Sequence, residues 1–255
     1  MSGGGIFDAY GTWYEAFYRD KDYGAEARYL LGVVESLRST PRTWLDVGCG
    51  TGDHLAALSG LGIAVEGVDA SSTVIARARG RYPGIPFHVD TAQDFSLDRD
   101  RDVVSFLFHV VNYQATDEEL RGLFVNAARH LAERGVVVFD FWHTDGVLRD
   151  PPQRRVREVS IAGRRLFRIA DPTEDRERRR VDVRYEFRWD ALDGQVAACE
   201  THPLRHFDVH ELEVLLADAG LDLVTVEAWM ERRPLRSTDW YGLACAALPR
   251  EIDQR

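Results

Sequence analysis

Five short apolar runs recur between residues 43 and 142, and stretches with helical spacing separate them. The runs are TWLDV, IAVEGVDA, IPFHVD, DVVSFLFHVV and VVVFDFW. Apolar residues at helical spacing follow the first two runs, in DHLAALSGL and SSTVIARARGRY. Such alternation of strand and helix predicts a parallel sheet covered by helices on both faces. The fourth run is apolar enough to be a central strand.

A helix with clear end signals is predicted after the fourth run. Thr116 and Glu119 have the spacing of a capping box, in which each side chain accepts a hydrogen bond from the other residue's backbone N–H. Apolar residues then recur at helical spacing, at Leu120, Phe124, Ala127, Ala128 and Leu131. We expect Gly135 to end this helix, because glycine is common just past the last helical residue.

The pattern changes after Pro151 and Pro152. Residues 154–207 alternate with period two, which is typical of strands with one exposed face. Asp193–Gly194 lies between two such alternating runs, and this dipeptide is a strong signal for a hairpin turn. The charged run at residues 174–180 is predicted to be a solvated loop between strands. The segment therefore predicts an antiparallel lobe.

The strand and helix pattern resumes at Asp208, which with Glu211 is expected to cap a helix. Two further strands are predicted, in LDLVTVEAW and DWYGLACAAL. The predicted fold is α/β, with a doubly wound, mostly parallel, Rossmann-like sheet. Residues 1–153 and 208–255 form this sheet domain, and residues 154–207 are the inserted antiparallel β lobe.

The composition narrows the class of protein. The chain has 255 residues, 45% of them hydrophobic, which suits one large α/β domain with an insert. Its net charge of −10 argues against a nucleic-acid-binding surface, which is normally basic. No apolar run approaches the roughly 20 residues of a membrane-spanning helix, and the N-terminus does not resemble a leader peptide. We therefore expect a cytoplasmic protein that binds neither nucleic acid nor membrane. The three cysteines, Cys49, Cys199 and Cys245, lack the spacing of metal ligands, so we expect no metal.

A glycine-rich turn follows the first run, in TWLDVGCGTGDHL. Gly48, Gly50 and Gly52 alternate there, which lets a backbone approach a ligand closely. The lysine of a phosphate-binding P-loop is missing. A dinucleotide-binding turn needs a third glycine where Asp53 stands, and this carboxylate would repel a pyrophosphate at the helix N-terminus. A cationic sulfonium ligand meets no such objection.

The segment LDVGCGTG resembles motif I of the class I S-adenosylmethionine-dependent methyltransferases, and the strand and helix alternation fits that family. The resemblance implies S-adenosylmethionine as cofactor. In that family an acid ending the second strand holds the ribose hydroxyls, and Asp69 has this position; the alternative is that Asp69 only caps the next helix. In HVDTAQDFSL, Thr91 stands where the family usually has an acid near the adenine, with Asp90 one residue earlier. The implied cofactor contacts are Asp46, Gly48, Gly50, Asp69, Ala70, Thr91, Ala92, Gln93, Leu107 and Phe108.

Two further segments, WYEAFYRDKDYGAEA and FLFHVVNYQ, resemble bacterial methyltransferases that N-methylate amino groups of nucleotide-linked deoxysugars. That resemblance implies that Tyr14, Tyr18 and Arg19 cap the methionine end of the cofactor, with Arg19 paired to its carboxylate. The alternative for the two tyrosines is simple packing at i,i+4 spacing. Tyr113 stands where these enzymes have a histidine and is expected to orient the acceptor.

Candidate acid and base residues lie where the C-terminal edge of the sheet is expected, which is where open α/β sheets bind ligands. His109 follows the fourth run and is the first choice for a base; His143 follows the fifth run, and Tyr14 is a further catalytic candidate. The expected acceptor contacts are Asn112, Tyr113, Trp142, His202, Arg205 and His206. An amine acceptor needs only to be unprotonated, whereas an alcohol needs a general base.

The sequence therefore predicts a methyltransferase acting on a small molecule, with the amino group of a nucleotide-linked deoxysugar in bacterial secondary metabolism as the favoured acceptor. One alternative is O-methylation of a sugar or polyketide-type hydroxyl with His109 as base. Another is a cofactor-binding relative without methyl transfer, which the histidines and tyrosines after the fourth and fifth runs argue against. A homodimer is one expectation for the assembly.

Overall fold

The computed structural model describes residues 13, 16–37, 40–98 and 100–249. The strands are β1 (Thr43–Val47), β2 (Ala64–Asp69), β3 (Phe87–Val89), β4 (Arg101–Phe106), β5 (Leu131–Trp142), β6 (Arg155–Ile161), β7 (Arg164–Asp175), β8 (Arg180–Trp189), β9 (Val196–Arg205), β10 (Asp222–Ala228) and β11 (Tyr241–Ala247). The helices are α1 (Tyr23–Leu37), α2 (Asp53–Gly60), α3 (Ser72–Arg81), α4 (Asp117–Arg129), α5 (Thr144–Arg149) and α6 (Val209–Asp218), with one 3₁₀ turn at Val110–Tyr113.

Seven strands form one sheet in the order β10-β11-β5-β4-β1-β2-β3. The five strands from β5 to β3 pair in parallel. Strand β11 runs antiparallel between β5 and β10. This sheet confirms the predicted α/β fold, and β4 has the central position expected from its apolar sequence.

Two buried clusters lie on opposite faces of this sheet. Leu45 and Val47 of β1 contribute to one cluster, together with residues of α4 and α6. Trp44, which directly precedes Leu45 in β1, belongs to the other cluster, with residues of α1, α2 and α3. Because successive side chains of a strand point to opposite faces, one apolar strand contributes to both clusters. This is the physical basis of the doubly wound arrangement.

Helix α4 has the predicted start but a different end. Thr116 and Glu119 form both hydrogen bonds of the capping box. The helix ends at Arg129, and Gly135 lies inside β5, so the expectation that Gly135 ends the helix was wrong. A Cβ atom at Gly135 would lie 2.9 Å from the backbone oxygen of Arg101, so the glycine permits a close approach between strands.

Strand β4 is shorter than its apolar run predicts. The run extends to residue 111, but the strand ends at Phe106. Phe108 and His109 have φ angles of 64° and 71°, in the left-handed region that side chains other than glycine rarely adopt. The chain therefore turns sharply at the edge of the sheet, and such strained residues often occur at ligand sites.

The remaining strands form a separate antiparallel sheet in the order β6-β7-β8-β9. A turn containing Asp193–Gly194 joins β8 to β9, and an exposed turn at residues 176–179 joins β7 to β8, both as predicted. This sheet lies within residues 154–207; that these residues act as a distinct domain stays a prediction. None of the helices in the described residues is long and apolar enough to span a membrane.

Candidate active site

A cavity of about 1350 Å³ lies between the C-terminal edge of the main sheet and the second sheet. Its first wall, here called the donor wall, consists of the turns after β1, β2, β3 and β4. Its second wall, the acceptor wall, consists of residues of β6, β7 and β8 with residues 150–154, Thr238, Trp240 and Tyr241. Sites for one small ligand commonly measure about 300–1,000 Å³. The cavity therefore has room for a cofactor and a second molecule together.

The three glycines of the turn after β1 have separate reasons for being glycine. All have positive φ angles, 76° at Gly48, 56° at Gly50 and 82° at Gly52. A Cβ atom would collide with Val110 at Gly48 (2.4 Å) and with Phe87 at Gly52 (2.7 Å). At Gly50 a Cβ atom would meet nothing within 4 Å, and this residue lines the cavity. Two glycines thus serve packing, and Gly50 leaves room for a ligand.

Asp69 ends β2 beside this turn. Its two carboxylate oxygens accept hydrogen bonds from the backbone N–H groups of Gly50 and Ser71, both at 2.9 Å. Burial nevertheless raises the pKa of Asp69 above its ordinary value, against the effect of these hydrogen bonds. Ser71, whose hydroxyl accepts from the N–H of Val74, is the N-cap of α3, so Asp69 does not have the capping role that was the alternative. Each oxygen keeps a lone pair for a donor in the cavity.

Several charged side chains lie near the glycine turn that follows β1. Glu26 accepts from Nζ of Lys21 at 3.0 Å and contacts Nε2 of His54 at 2.6 Å. Asp46 accepts a hydrogen bond from the hydroxyl of Ser105 at 2.6 Å. Burial raises the pKa of Asp46 to about 6. Asp46 is not among the residues lining the cavity, so the structure does not bring this predicted cofactor contact to the surface of the site.

The other predicted cofactor contacts of the donor wall line the cavity. They are Gly48, Gly50, Asp69, Ala70, Thr91, Ala92, Gln93, Leu107 and Phe108. The side-chain amide of Gln93 donates to Oε1 of Gln114 at 2.5 Å, which joins the turn after β3 to the turn after β4. The hydroxyl of Thr91 donates to Asp94 at 2.8 Å, so this side chain is already paired.

The N-terminal segment contributes Tyr18 and Lys21 to the cavity lining. Tyr18 contacts Phe108 edge to face and accepts a hydrogen bond from Arg168 at 3.1 Å. Arg19 is exposed and lies outside the lining, because it belongs to a turn that faces solvent. Lys21, the only lysine of the chain, is the cation that lines the cavity there. Tyr14 lies outside the described residues.

His109 lines the cavity at the point where both walls meet. Its ring stacks between Phe108 and Tyr241 at centroid distances of 5.1 and 5.6 Å. Its backbone N–H donates to Asp140 of β5 at 3.1 Å, and its Nδ1 lies 2.7 Å from the same carboxylate, outside the angular range of a hydrogen bond. Burial opposes ionisation of Asp140, but the nearby His109 outweighs it and holds the pKa of Asp140 below its ordinary value. Asp140 therefore remains a carboxylate that fixes the turn carrying His109.

Tyr113 and Trp142 also line the cavity, as expected for acceptor contacts. The hydroxyl of Tyr113 lies 2.8 Å from Nδ1 of His202, and Nε2 of His202 lies 3.2 Å from Oε2 of Glu200. His202 is fully buried and lies behind Tyr113 instead of lining the cavity. The predicted contact of His202 with the acceptor is therefore at most an indirect one, through Tyr113.

Four other predicted residues lie outside the cavity lining, and three of them, Asn112, Arg205 and His206, join the end of the second sheet to the rest of the protein. Asn112 donates to the backbone oxygen of Arg205, and Arg205 pairs with Asp117 and Glu211 at 2.6 and 3.1 Å. Nδ1 of His206 contacts the hydroxyl of Thr144 at 2.9 Å, and burial lowers the pKa of His206 to about 4. His143 contacts the backbone oxygen of Asp239 at 3.1 Å. These placements depart from the expected contacts with the acceptor, and from the catalytic role considered for His143.

Several residues that line the cavity were not among the predicted site residues. They are Lys21, Asp140, Arg154, Arg155, Arg157, Arg168, Tyr185 and Tyr241. The register of β6 and β7 pairs Arg157 with Arg168, so the two arginines lie side by side on the same face of the sheet. Among the described residues, no group of three or more metal-ligating side chains is close enough to hold a metal ion.

The donor wall fits S-adenosylmethionine. Gly50 leaves an open space beside the turn, and the buried carboxylate of Asp69 retains acceptor capacity toward that space. Ala92, Gln93 and Leu107, in the turns after β3 and β4, line the same cavity. Asp53 is held by Arg81 at 3.0 Å and by the hydroxyl of Tyr82 at 2.8 Å. Its negative charge at the start of α2 suits a cation better than a phosphate.

Comparison with known proteins shows which family the chain resembles in sequence. The family described as a methyltransferase domain matches residues 18–226. A dTDP-3-amino-3,4,6-trideoxy-alpha-D-glucopyranose N,N-dimethyltransferase of Streptomyces venezuelae is 30% identical over 229 residues, which cover 87% of this chain and 94% of that enzyme.

Solved structures extend the likeness to the whole fold. A sugar N-methyltransferase from Streptoalloteichus superposes with a TM-score of 0.82 at 27% identity, covering 98% of this chain and 96% of the other. An amino pentose methyltransferase from Micromonospora echinaspora, solved with S-adenosylmethionine bound, superposes with a TM-score of 0.75 at 26% identity, covering 98% and 100%.

Proposed function

This chain belongs to the methyltransferase family, and on that premise we propose that it methylates the amino group of a deoxysugar carried on a nucleotide. The methyl donor is S-adenosylmethionine, which supplies an electrophilic methyl group and leaves as a neutral thioether. The main task of the protein is then to align the acceptor with that methyl group, an effect worth up to roughly 7–11 kcal/mol in well-oriented systems.

The observation that carries this proposal is a group of arginines on the acceptor wall. Arg154, Arg155 and Arg157 line the cavity, and none of them forms an ion pair with a carboxylate of the described residues. In a chain with a net charge of −10, such cations facing a ligand cavity indicate an acceptor with negative charge. Arginine matches the geometry of phosphate with two parallel N–H donors. A nucleotide diphosphate provides this chemistry.

The relatives support the amine as the acceptor group. The Streptomyces venezuelae enzyme is named for N,N-dimethylation of a dTDP-linked amino sugar. The Streptoalloteichus and Micromonospora proteins are named as methyltransferases of a sugar nitrogen and of an amino pentose. The role of this chain in secondary metabolism is part of the same proposal.

Individual roles follow from the two walls of the cavity. Asp69 would hold the ribose hydroxyls of the cofactor, and the turn at Ala92 and Gln93 would contact its adenine. Lys21, instead of Arg19, is the proposed partner of the methionine carboxylate. Residues 154–207 would bind the acceptor, and Tyr113 would orient its amino group.

The experiment that tests the proposed function uses the purified protein with methyl-labelled S-adenosylmethionine. The acceptors are a dTDP-linked 3-amino or 4-amino deoxysugar, the same nucleotide sugar with a hydroxyl in place of the amine, and the amino sugar without a nucleotide. We expect one or two labelled methyl groups in the first acceptor only, read by mass spectrometry. Label in the hydroxyl analogue would refute N-methylation, and equal labelling of the free amino sugar would refute recognition of the nucleotide.

A second experiment separates amine from alcohol chemistry through His109. Loss of a required base costs about 10²–10⁴-fold in rate. For an amine acceptor, we expect His109→Ala to slow turnover modestly and raising the pH to recover most of the rate, because the amine deprotonates in solution. His143→Ala, at a residue that lies outside the cavity, is the control. A loss near a thousandfold that persists at high pH would make His109 the base of an O-methyltransferase.

A further inference from the structure

Three residues from two distant parts of the chain form a chain of hydrogen bonds that leads from the cavity to the surface. Tyr113, in the 3₁₀ turn after β4, lines the cavity. Its hydroxyl lies 2.8 Å from Nδ1 of His202, and Nε2 of His202 lies 3.2 Å from Oε2 of Glu200. The side chain of His202 is 0% exposed, and that of Glu200 is 10% exposed. The series therefore begins at the cavity and ends beside solvent.

The carboxylate at the end of this series gives it a direction. A carboxylate only accepts hydrogen bonds, so Nε2 of His202 must carry the hydrogen that Glu200 accepts. In the neutral imidazole, Nδ1 is then an acceptor, and the hydroxyl of Tyr113 must donate to it. The oxygen of Tyr113 is left with lone pairs only, and it can receive a hydrogen from a group in the cavity.

The middle of the series, at His202, is enclosed by protein. Val183 of β8 pairs with His202, Val183 and Leu204 are both buried, and the ring of Tyr185 contacts the imidazole edge to face at 4.8 Å. Burial also raises the pKa of Tyr113 well above its ordinary value, so the phenol keeps its hydrogen. A proton can therefore cross this region by passing along the hydrogen bonds, but not through bulk solvent.

We propose that Tyr113, His202 and Glu200 form a proton relay that takes the proton released by the methylated acceptor. This proposal rests on the proposed function, because it assumes that an amino group reaches Tyr113. After the nitrogen lone pair has formed the new bond to carbon, the nitrogen is a cation that still carries hydrogen. It gives one proton to the oxygen of Tyr113 while the hydroxyl proton of Tyr113 passes to Nδ1 of His202. The imidazolium so formed gives the proton on Nε2 to the carboxylate of Glu200, which releases it to water at its exposed edge.

The relay also determines how the acceptor is oriented. Because the oxygen of Tyr113 offers lone pairs only, the amino group must point an N–H bond at it. The lone pair of the nitrogen then points elsewhere in the cavity, where the methyl group is to be received. An enzyme that adds two methyl groups needs the deprotonation between the two transfers, because an ammonium has no lone pair to attack with.

The test combines one measurement that needs no acceptor with one that does. In protein labelled with ¹⁵N-histidine, we expect the imidazole of His202 to be neutral with the hydrogen on Nε2, with the signal assigned by its loss in His202→Gln. Glu200→Gln keeps the shape of the side chain but its amide can either accept or donate, so Nε2 no longer has to carry the hydrogen and we expect the Nδ1–H form to appear beside the Nε2–H form. A wild-type hydrogen on Nδ1 would overturn the relay, whatever the acceptor is.

The second measurement compares kcat and KM of variants and wild type on the acceptor that the wild type methylates. We expect Tyr113→Phe and Glu200→Gln each to lower kcat at least about tenfold, within the usual range for proton transfer, with a smaller change in the acceptor KM. The control is Glu186→Gln, the same change on the adjacent strand at a residue paired with Arg184 and Arg188. A raised KM with unchanged kcat would show that Tyr113 only binds and would overturn the relay. If the wild type methylates a hydroxyl and not an amine, the proposed function fails, and the kcat and KM of the same variants on that hydroxyl acceptor test the relay. If no acceptor is methylated, the position of the hydrogen on His202 alone tests the relay.

Discussion

The two walls of the cavity are constructed in different ways. The donor wall is mostly backbone: a glycine turn with three positive φ angles, and N–H groups that hold one carboxylate, Asp69. The acceptor wall is mostly side chains, contributed by strands whose pairing alone brings Arg157 opposite Arg168. A ligand common to a whole family can be held by a rigid backbone, whereas an acceptor particular to one enzyme requires groups that change with single substitutions. The difference predicts that the two walls respond separately to mutation.

The largest effect is expected at the centre of the donor wall. In Gly50→Val, the new side chain extends into the open space that the cofactor needs, so we expect at least a 100-fold loss of S-adenosylmethionine affinity, about 2.7 kcal/mol. Calorimetry measures it. Gly62→Val is the matched control, because Gly62 also has a positive φ (88°) and open space around its Cβ but lies in an exposed turn. Equal losses in both variants would mean that backbone strain, not the cavity, explains the effect.

A smaller effect is expected at the carboxylate of the same wall. Asp69→Ala removes the proposed acceptors for the ribose hydroxyls, and hydrogen bonds to a charged group are worth about 1.5–3 kcal/mol. We therefore expect a loss of affinity of roughly 10- to 150-fold, measured by calorimetry. Thr116→Ala removes a helix cap outside the cavity lining and should lower the melting temperature while leaving affinity unchanged. If Asp69→Ala behaved like Thr116→Ala, the role of Asp69 would be structural.

The difference between the two walls also explains which parts of the fold and site could be predicted from the sequence. Gly48, Gly50 and Gly52 are close neighbours in the chain, and their turn follows directly from the sequence around them. A parallel sheet was predictable because stretches with helical spacing separate most of the apolar runs. The end of β4 was not, because an apolar run does not reveal the left-handed residues Phe108 and His109 that interrupt it.

The part of the cavity where the two walls meet depends on contacts between distant residues. Tyr113 meets His202 across 89 positions, and Asp140 holds His109 across 31. A single acid inside the apolar run VVVFDFW was the one local signal for Asp140, since a buried charge requires a partner. Histidines and arginines near the end of β9 gave the opposite impression: Arg205 and His206 looked like site residues, but their partners are on α4, α6 and α5.

The third effect tests the acceptor wall. Arg157→Ala removes a proposed phosphate contact, so we expect the acceptor KM to rise about tenfold, the equivalent of one modest charge-assisted hydrogen bond, with no change in cofactor affinity. Added salt should weaken acceptor binding more in the wild type than in the variant. Arg165→Ala, at an exposed arginine of β7 outside the cavity lining, is the control. Loss of cofactor affinity in Arg157→Ala would contradict the separation of the two walls.

The smallest change in cofactor affinity is expected at Asp46, which is buried and does not line the cavity. We expect Asp46→Asn to change S-adenosylmethionine affinity by less than about twofold, well under 1.4 kcal/mol. A tenfold loss would show that Asp46 touches the cofactor, as its position at the end of the first apolar run led us to expect.

Its effect on stability should instead depend on pH. Burial raises the pKa of Asp46 to about 6, from an ordinary value of 3.8 in the unfolded chain. Between these values the folded protein holds a proton that the unfolded chain has released, so rising pH favours unfolding by about 1.4 kcal/mol for each unit of the pKa difference. The contribution is fully present below pH 3.8 and is lost once the pH passes 6. Asn cannot ionise, so the stability of Asp46→Asn relative to the wild type, measured by urea unfolding, should increase between pH 4 and pH 7 and stay constant above pH 7. The control is Asp222→Asn, at an exposed residue, which should show no such increase. If Asp46→Asn also shows no increase, the buried carboxyl ionises at its ordinary pKa.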